Sequence, residues 1–317
     1  MFRNLSLFRF SAAVSRDLER LPEALADHRL RPCGPQEMGT RGFVPPVGRT
    51  AEDALVRRLQ DRQFLVVGAE TKLLPAGVIN DELARKVQKI TDEEVRPVGG
   101  RERKRLKEDV LIELLPRAFV QQSRMGAYVD SANGWLVIDT ASRKAAEELL
   151  SQVREALGSF PAVPLAPEEG PRVLMTDWLA SGNLPSGFGL GDECELRDPA
   201  TATGARWKGR AEDLSSEEVR EHLRNGKQVF QLGLVFADRL SFVLGEDLVI
   251  RKLKLLDVCM DSLDADNTDA VGEFDAMNTL LAGEVGALLA RLADVFSLPR
   301  PGDVDVADAD AETRKAA

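Results

Sequence analysis

Aromatic side chains are scarce in this chain: one Tyr, three Trp and thirteen Phe make up 5% of its 317 residues. Histidine occurs only at His28 and His222, each on a helix surface that reads as polar, which leaves little material for histidine-based acid, base or metal chemistry. The three cysteines, Cys33, Cys194 and Cys259, stand far apart with no CxxC pair. That spacing argues against a disulfide framework or a zinc ribbon and suits a reducing cytoplasm. Cys33, between Pro32 and Gly34 with no adjacent base, reads as a structural thiol. No apolar run reaches the roughly 18 to 20 residues that span a bilayer, and the opening MFRNLSLFRFSAAVSRD carries charge where a signal peptide holds its apolar core. The expectation is a cytoplasmic protein with no membrane partner.

Motifs for cofactors are missing too. Gly226-Lys227 is followed by Gln228 and lacks the second glycine of a phosphate-binding loop, and GFGLG at 187–191 has the wrong spacing for a dinucleotide fingerprint and reads as a loop. The acidic run DSLDADNTDAVGEFD fails as a calcium loop, because with Asp264 first, Asp269 stands where glycine is required and Asp275 where glutamate is expected. It reads as a solvated connector. No cofactor, no metal and no enzymatic activity are expected.

What the chain has is 44% hydrophobic and 30% charged residues, enough for a sizeable core, with a net charge of −10. The negative charge is concentrated. From residue 255 onward there are 14 acids against four bases, while residues 1–254 hold 38 of each. A neutral body leaves room for basic faces.

The pattern of elements mixes strands and helices without a βαβ repeat, which favours α+β over a doubly wound sheet. FRNLSLFRF alternates like a half-buried strand through Leu5, Leu7 and Phe10, and a short helix follows at 20–28. Thr50 and Asp53 form a capping box ahead of a helix with Ala54, Leu55 and Leu59 on one face. FLVVGAE is a buried strand, 78–90 a helix, and the charged 101–115 a second helix that Pro116 ends. AYVD and GWLVID make a hairpin turned by Asn133-Gly134, followed by a helix over 143–157 and a proline-rich linker at 160–171. Further on come a helical turn at 176–180, strands near 194–197 and 205–210, and a helix capped by Ser215 and Glu218 and closed by Asn225-Gly226. Two more strands, QVFQLGLVFAD and LSFVLGEDLVIRKLKLL, precede a last helix through Leu281, Leu288 and Val295, and 301–317 read as a disordered acidic tail.

Positive charge clusters in three places. Arg96, Arg101, Arg103, Lys104, Arg105 and Lys107 face a single acid, Glu102, and in helical register Arg101, Lys104 and Arg105 share a face. Arg206, Lys208 and Arg210 alternate along a strand and project to one side of a sheet. Lys227 follows a helix C-terminus, and Arg251, Lys252 and Lys254 form a looser set. Such rows suit phosphates met without sequence reading, and they equally suit a solvated helix entry, with dipole compensation for Lys227.

Residues 32–46, PCGPQEMGTRGFVPP, resemble the signature of the RdgC family of recombination-associated proteins, in which a PCG-x-Q-x-M stretch leads into a G-[WF]-VPP turn. Matches follow in order at FRNLSLFRF, LLPxxVI (73–79), LLPRAF (114–119), WLVIDTAS (135–142), LGSFPAVPL (157–165), DLSSEE (213–218) and Gly226-Lys227, covering the chain to about residue 296. The resemblance implies mixed and antiparallel sheets with flanking helices, in an elongated, curved subunit that closes with a second copy into a ring-shaped homodimer. It implies a basic hole around double-stranded DNA, bound without sequence preference, and association with the nucleoid. It also implies an effect on RecA-dependent recombination and replication restart, with RecA met indirectly through competition for DNA.

On this reading the DNA contacts are Arg96, Arg101, Arg103, Lys104, Arg105, Lys107, Lys208, Arg210 and Lys227, and the dimer contact is formed by Phe119 and Leu115. The expected organisation is a central domain over 1–76 and 120–166, a basic helical tip over 77–119, a base domain over 167–300 and the tail over 301–317. The sequence departs from the family in that tail and in Pro97, Gly99 and Gly100, which interrupt a region often richer in lysine. The alternative is a protein-interaction or scaffold protein that meets a recombination partner through its acidic C-terminal region.

Overall fold

In the computed structural model the described residues are 2–11, 14, 18–50, 52–165, 170–200, 206–210, 213–261 and 269–302. The acidic stretch at 262–268 and the tail beyond 302 lie outside them, with the expectations placed there. In chain order the elements are β1 (Leu5–Phe10), α1 (Leu21–Ala26), β2 (Gly39–Val44), β3 (Val56–Leu59), β4 (Arg62–Leu73), α2 (Ala76–Glu94) and α3 (Gly100–Leu114). A 3₁₀ turn at Leu115–Arg117 leads to β5 (Phe119–Asp130), β6 (Trp135–Asp139), α4 (Arg143–Leu157), β7 (Ala162–Pro164), α5 (Pro171–Ser181), β8 (Phe188–Arg197) and β9 (Arg206–Arg210). Then come α6 (Glu217–Arg224), β10 (Gln228–Phe236), β11 (Leu240–Gly245), β12 (Ile250–Leu255), α7 (Asp257–Met260) and α8 (Ala270–Val295). This is the mixed α+β class, with antiparallel strand pairing and flanking helices. No helix among the described residues is long and apolar enough to cross a membrane.

The chain divides into two compact units. The larger comprises Met1–Asp27, Pro45–Leu65 and Met125–Ala317. In it β1 lies between β6 on one side and β12 and β7 on the other, and the ladder continues from β12 through β11, β10 and β8 to β9. All six residues of β1 are buried, including Ser6 and Arg9, so it is a central strand with two covered faces and not the half-buried one its alternation suggests. Ser6 Oγ donates to Thr140 O (2.7 Å), and Arg9 donates to Pro299 O (2.9 Å) and Asn133 O (2.6 Å) beneath the Trp135 ring. Helix α8 buries Leu281, Val285, Leu288, Leu289 and Leu292 at helical spacing.

Several local expectations give way to tertiary pairing. Thr50 and Asp53 do bond, with Thr50 N–H donating to Asp53 Oδ2 (2.7 Å), but no helix follows. Val56–Leu59 instead form β3, folded onto β4 through Gln60 at φ 54°. Gly187–Gly191 is not a loop: Phe188 begins β8, and Gly191 allows the strand to approach Gly233 of β10 too closely for a Cβ. The proline-rich linker contains β7, which adds to β1. LSFVLGEDLVIRKLKLL is two strands, β11 and β12, joined by a turn at 246–249. Ser215 does not cap α6; Ser216 is the N-cap residue, without a side-chain bond, and Glu218 accepts the Trp207 indole N–H (3.2 Å).

The smaller unit comprises His28–Val44 and Val66–Arg124. Here β2 pairs with β4 from Gly39↔Thr71 to Val44↔Val66. The segment before β2 lies over it, with Leu30 N–H donating to Phe43 O (3.0 Å) and Phe43 N–H to His28 O (2.8 Å). A Cβ on Gly42 would come within 2.5 Å of Leu30 N, so only glycine fits there. The PCGPQEM loop is tied by two acids, one its own and one from β4: Arg31 donates two hydrogen bonds to Glu37 (2.6 and 2.7 Å), Glu37 accepts Gly34 N–H (2.8 Å), and Glu70 accepts Cys33 N–H (2.8 Å). The unit also holds the hairpin of α2 and α3, in which Leu83 and Val110 are buried, and beyond it the 3₁₀ turn and the first part of β5.

Candidate nucleic-acid interface

The first basic row lies on the α2–α3 hairpin. Helix α2 ends at Val95 in the left-handed conformation (φ 50°), and Arg96 follows it. The Arg96 guanidinium donates to both oxygens of Glu102 (2.7 Å each) and to Glu94 (2.6 Å). Glu102, then Glu94, hold it well above the ordinary arginine value, and Arg96 in turn lowers Glu102. Arg96 is thus the clamp of the interhelical turn, with its donors already engaged. Lys86 makes a second tie, to Glu113 (2.6 Å).

Arg101, Arg103, Lys104, Arg105 and Lys107 are exposed on the first two turns of α3 and carry no ion pair among the described residues. Bases at a helix N-terminus oppose the macrodipole, so this row weakens the helix that bears it. Glu108 and Asp109 follow, and the positive charge of α3 is confined to its first two turns.

The second row is a cross-strand ladder in the larger unit. Register sets Glu193 opposite Arg210, Glu195 opposite Lys208 and Arg197 opposite Arg206, all on one face. Glu195 is only 4% exposed and takes bonds from Arg197 (2.5 Å), Lys208 (2.9 Å) and Arg206 (3.2 Å). Burial acts to raise its carboxyl, and the bonds from Lys208 and Arg197 outweigh it, so Glu195 lies below the ordinary carboxylate value. Glu193 binds Lys252 closely and Arg210 at 4.0 Å. Lys252 reaches it from a bulge in β12, where its own φ is 54°.

Alternation along 206–210 reveals half of this ladder. The other half, E-x-E-x-R at 193–197, carries the complementary period-two signal, but the strand pairing is needed to join them. Lys227 precedes Gln228, which pairs with Arg197 of the second row, and its ammonium lies 3.2 Å from His222 Nδ1 with its N–H on His222 O. His222 is not a free surface histidine, since its ring packs on Trp207 with centroids 5.4 Å apart.

Of the two residues expected at a dimer contact, Phe119 opens β5 at 84% exposure and Leu115 is 5% exposed inside its own unit. Val120 and Ile112 are also exposed. Among the described residues no group of three or more His, Cys, Asp or Glu side chains is arranged to hold a metal ion.

The family described as "Putative exonuclease, RdgC" matches residues 1–298. The chain belongs to the RdgC family. Relatives bearing the name recombination-associated protein RdgC include one from Xanthomonas campestris pv. campestris (strain B100), 47% identical over 300 residues, which cover 94% of this chain and 98% of the relative. Another, from Xylella fastidiosa (strain 9a5c), is 48% identical over 292 residues, covering 92% of this chain and 96% of the relative. Residues 32–46, where the sequence resembles the family, contain the loop whose backbone Glu37 and Glu70 tie down and the glycine-dependent crossing at Gly42. The two RdgC descriptions differ in kind, one naming an exonuclease and the other an association with recombination.

Proposed function

We propose that this RdgC-family chain binds double-stranded DNA without regard to sequence, as a homodimer closed into a ring, and thereby modulates RecA-dependent recombination and replication restart at the nucleoid. The observation that carries the reading is the row on α3: five unpaired bases in the two helical turns where they are least favourable for the helix. An anionic partner offsets that cost, and exposed Lys and Arg on a smooth helix face address phosphates and not base edges. Arg206, Lys208 and Arg210 supply a second basic surface, whose cations are shared with Glu193 and Glu195. Arg96 and Lys227 support their local turns, and their part in DNA contact is secondary. Phe119 is the apolar group available to meet its symmetry mate at one of the two contacts a closed pair requires. RecA is affected through the DNA that both proteins occupy.

The test is a titration against duplex DNA of mixed sequence at several salt concentrations, beside a mass measurement in solution. With about six phosphates neutralised, affinity falls on the order of a thousandfold between 50 and 200 mM salt, and the mass is that of a dimer. A flat salt response would favour a protein-docking role for the acidic C-terminal region. Release of nucleotides from an end-labelled duplex in the presence of Mg²⁺ would favour the exonuclease description.

A further inference from the structure

Two carboxylates occupy the middle of the basic ladder on β8 and β9. Glu195 is almost fully enclosed by cations that themselves remain in water: Arg206 is 53% and Lys208 60% exposed in their side chains. Removing a carboxylate from water costs several kcal/mol unless donors replace the lost hydration, and here three donors do so. Glu193 engages Lys252 and Arg210 in the same manner. A phosphate approaching Lys208 or Arg210 therefore meets a cation whose charge is already shared with a neighbouring acid. Five bases on two acids leave a surplus of three positive charges, not five.

We propose that Glu193 and Glu195 limit how tightly this face grips a nucleic-acid backbone, by keeping two of its five cations neutralised while DNA is bound. The inference rests on the duplex-binding reading above and deepens it. The carboxylates are positioning residues for that grip: they hold the basic row in place and set the number of phosphates it can replace counterions on. A face with a capped surplus binds without locking.

The experiment uses the full chain and a mixed-sequence duplex of about 30 base pairs, with Kd measured from 50 to 200 mM salt for the parent, Glu193→Gln and Glu195→Gln. Each glutamine variant is expected to bind more tightly than the parent at every salt concentration. Its log–log salt slope should steepen by about 0.9, so that it loses about threefold more affinity across this range than the parent does. Glu155→Gln, an exposed acid on α4 outside the row, makes the same change in net charge and is expected to leave the slope unaltered. Lys208→Ala is expected to cost more affinity in the Glu195→Gln background than in the parent.

A folded glutamine variant with an unchanged or shallower slope, or with weaker binding, overturns the proposal. So does a Glu155→Gln effect as large as theirs. Should Glu195→Gln fail to fold, the half-buried Glu193 decides the matter alone. A parent that binds no duplex overturns this inference and the proposed function together, whereas a parent with steep salt dependence and unresponsive glutamine variants overturns this inference only.

Discussion

Arg9 shows how a single charged side chain is made to serve a core. It is 4% exposed in the middle of β1, stacks its guanidinium 3.9 Å from the centre of the Trp135 ring, and donates to carbonyls at Asn133 and Pro299. Through these bonds one residue ties the β5–β6 turn and the segment after α8 to the central strand. Arg9→Ala strands those carbonyls and opens a cavity, and a loss of about 3 to 5 kcal/mol in urea unfolding is the expected outcome. A second single-residue effect depends on pH. The bond from Arg31, reinforced by Gly34 N–H, holds the Glu37 carboxyl down at about 2 from an ordinary value of 4.5. A depressed carboxylate contributes order that is fully present above its unfolded value and is lost as pH falls through its folded one. The Gly34 amide resonance should therefore titrate near pH 2, and Arg31→Ala should move that midpoint up toward 4.5. An unmoved midpoint would mean that the ion pair does not form in solution.

At the scale of elements, the hairpin of α2 and α3 separates binding from stability. Replacing Arg101, Arg103, Lys104 and Arg105 together by Ala removes four bases from the wrong end of a helix dipole and introduces a strong helix former at each site. The thermal midpoint is expected to hold or rise slightly while duplex affinity falls and its salt slope flattens by about 0.9 for each lost phosphate contact. Unchanged affinity would return the row to a solvated helix entry. This hairpin was largely legible in advance, because charge clusters and 3.6-residue periodicity are local properties; α4, spanning Arg143–Leu157, coincides with its expected range for the same reason. What could not be read was decided by partners distant in sequence. Thr50 N–H and Oγ1 both donate to the Asp53 carboxylate with no helix following, and only the ladder with β4 shows that Val56–Leu59 extends. Arg206, Lys208 and Arg210 were visible as an alternating row, but the acids that restrain them lie on another strand. Arg96 looked like one more base of a cluster, although Glu94 and Glu102 take up its donors.

On the scale of the whole molecule, the ring reading makes Phe119 a matter of topology. A closed pair slides off a short linear duplex but must open to leave a covalently closed circle. The parent is expected to dissociate from the circle more slowly than from the linear duplex, and Phe119→Ser to narrow that difference while the dimer persists through its second contact. Identical behaviour of the two proteins on both substrates would remove Phe119 from closure, and unfolding of the variant would return it to its own unit. The position of β1 has a different consequence, which concerns synthesis. Leu5 pairs with Ile250, Leu253 N–H donates to Arg3 O (2.8 Å), and Asp139 accepts the backbone N–H groups of Arg3 and Asn4. β1 thus waits for a strand made much later in the chain. At about 5 to 20 residues per second that interval lasts roughly 12 to 50 seconds, during which β1 gains β6 and β7 as neighbours while its β12 edge stays open. The α2–α3 hairpin, built from contacts close in sequence, is complete long before then. A growing chain therefore presents its finished basic hairpin alongside an unfinished sheet, and translation speed and chaperone access become determinants of yield for this protein.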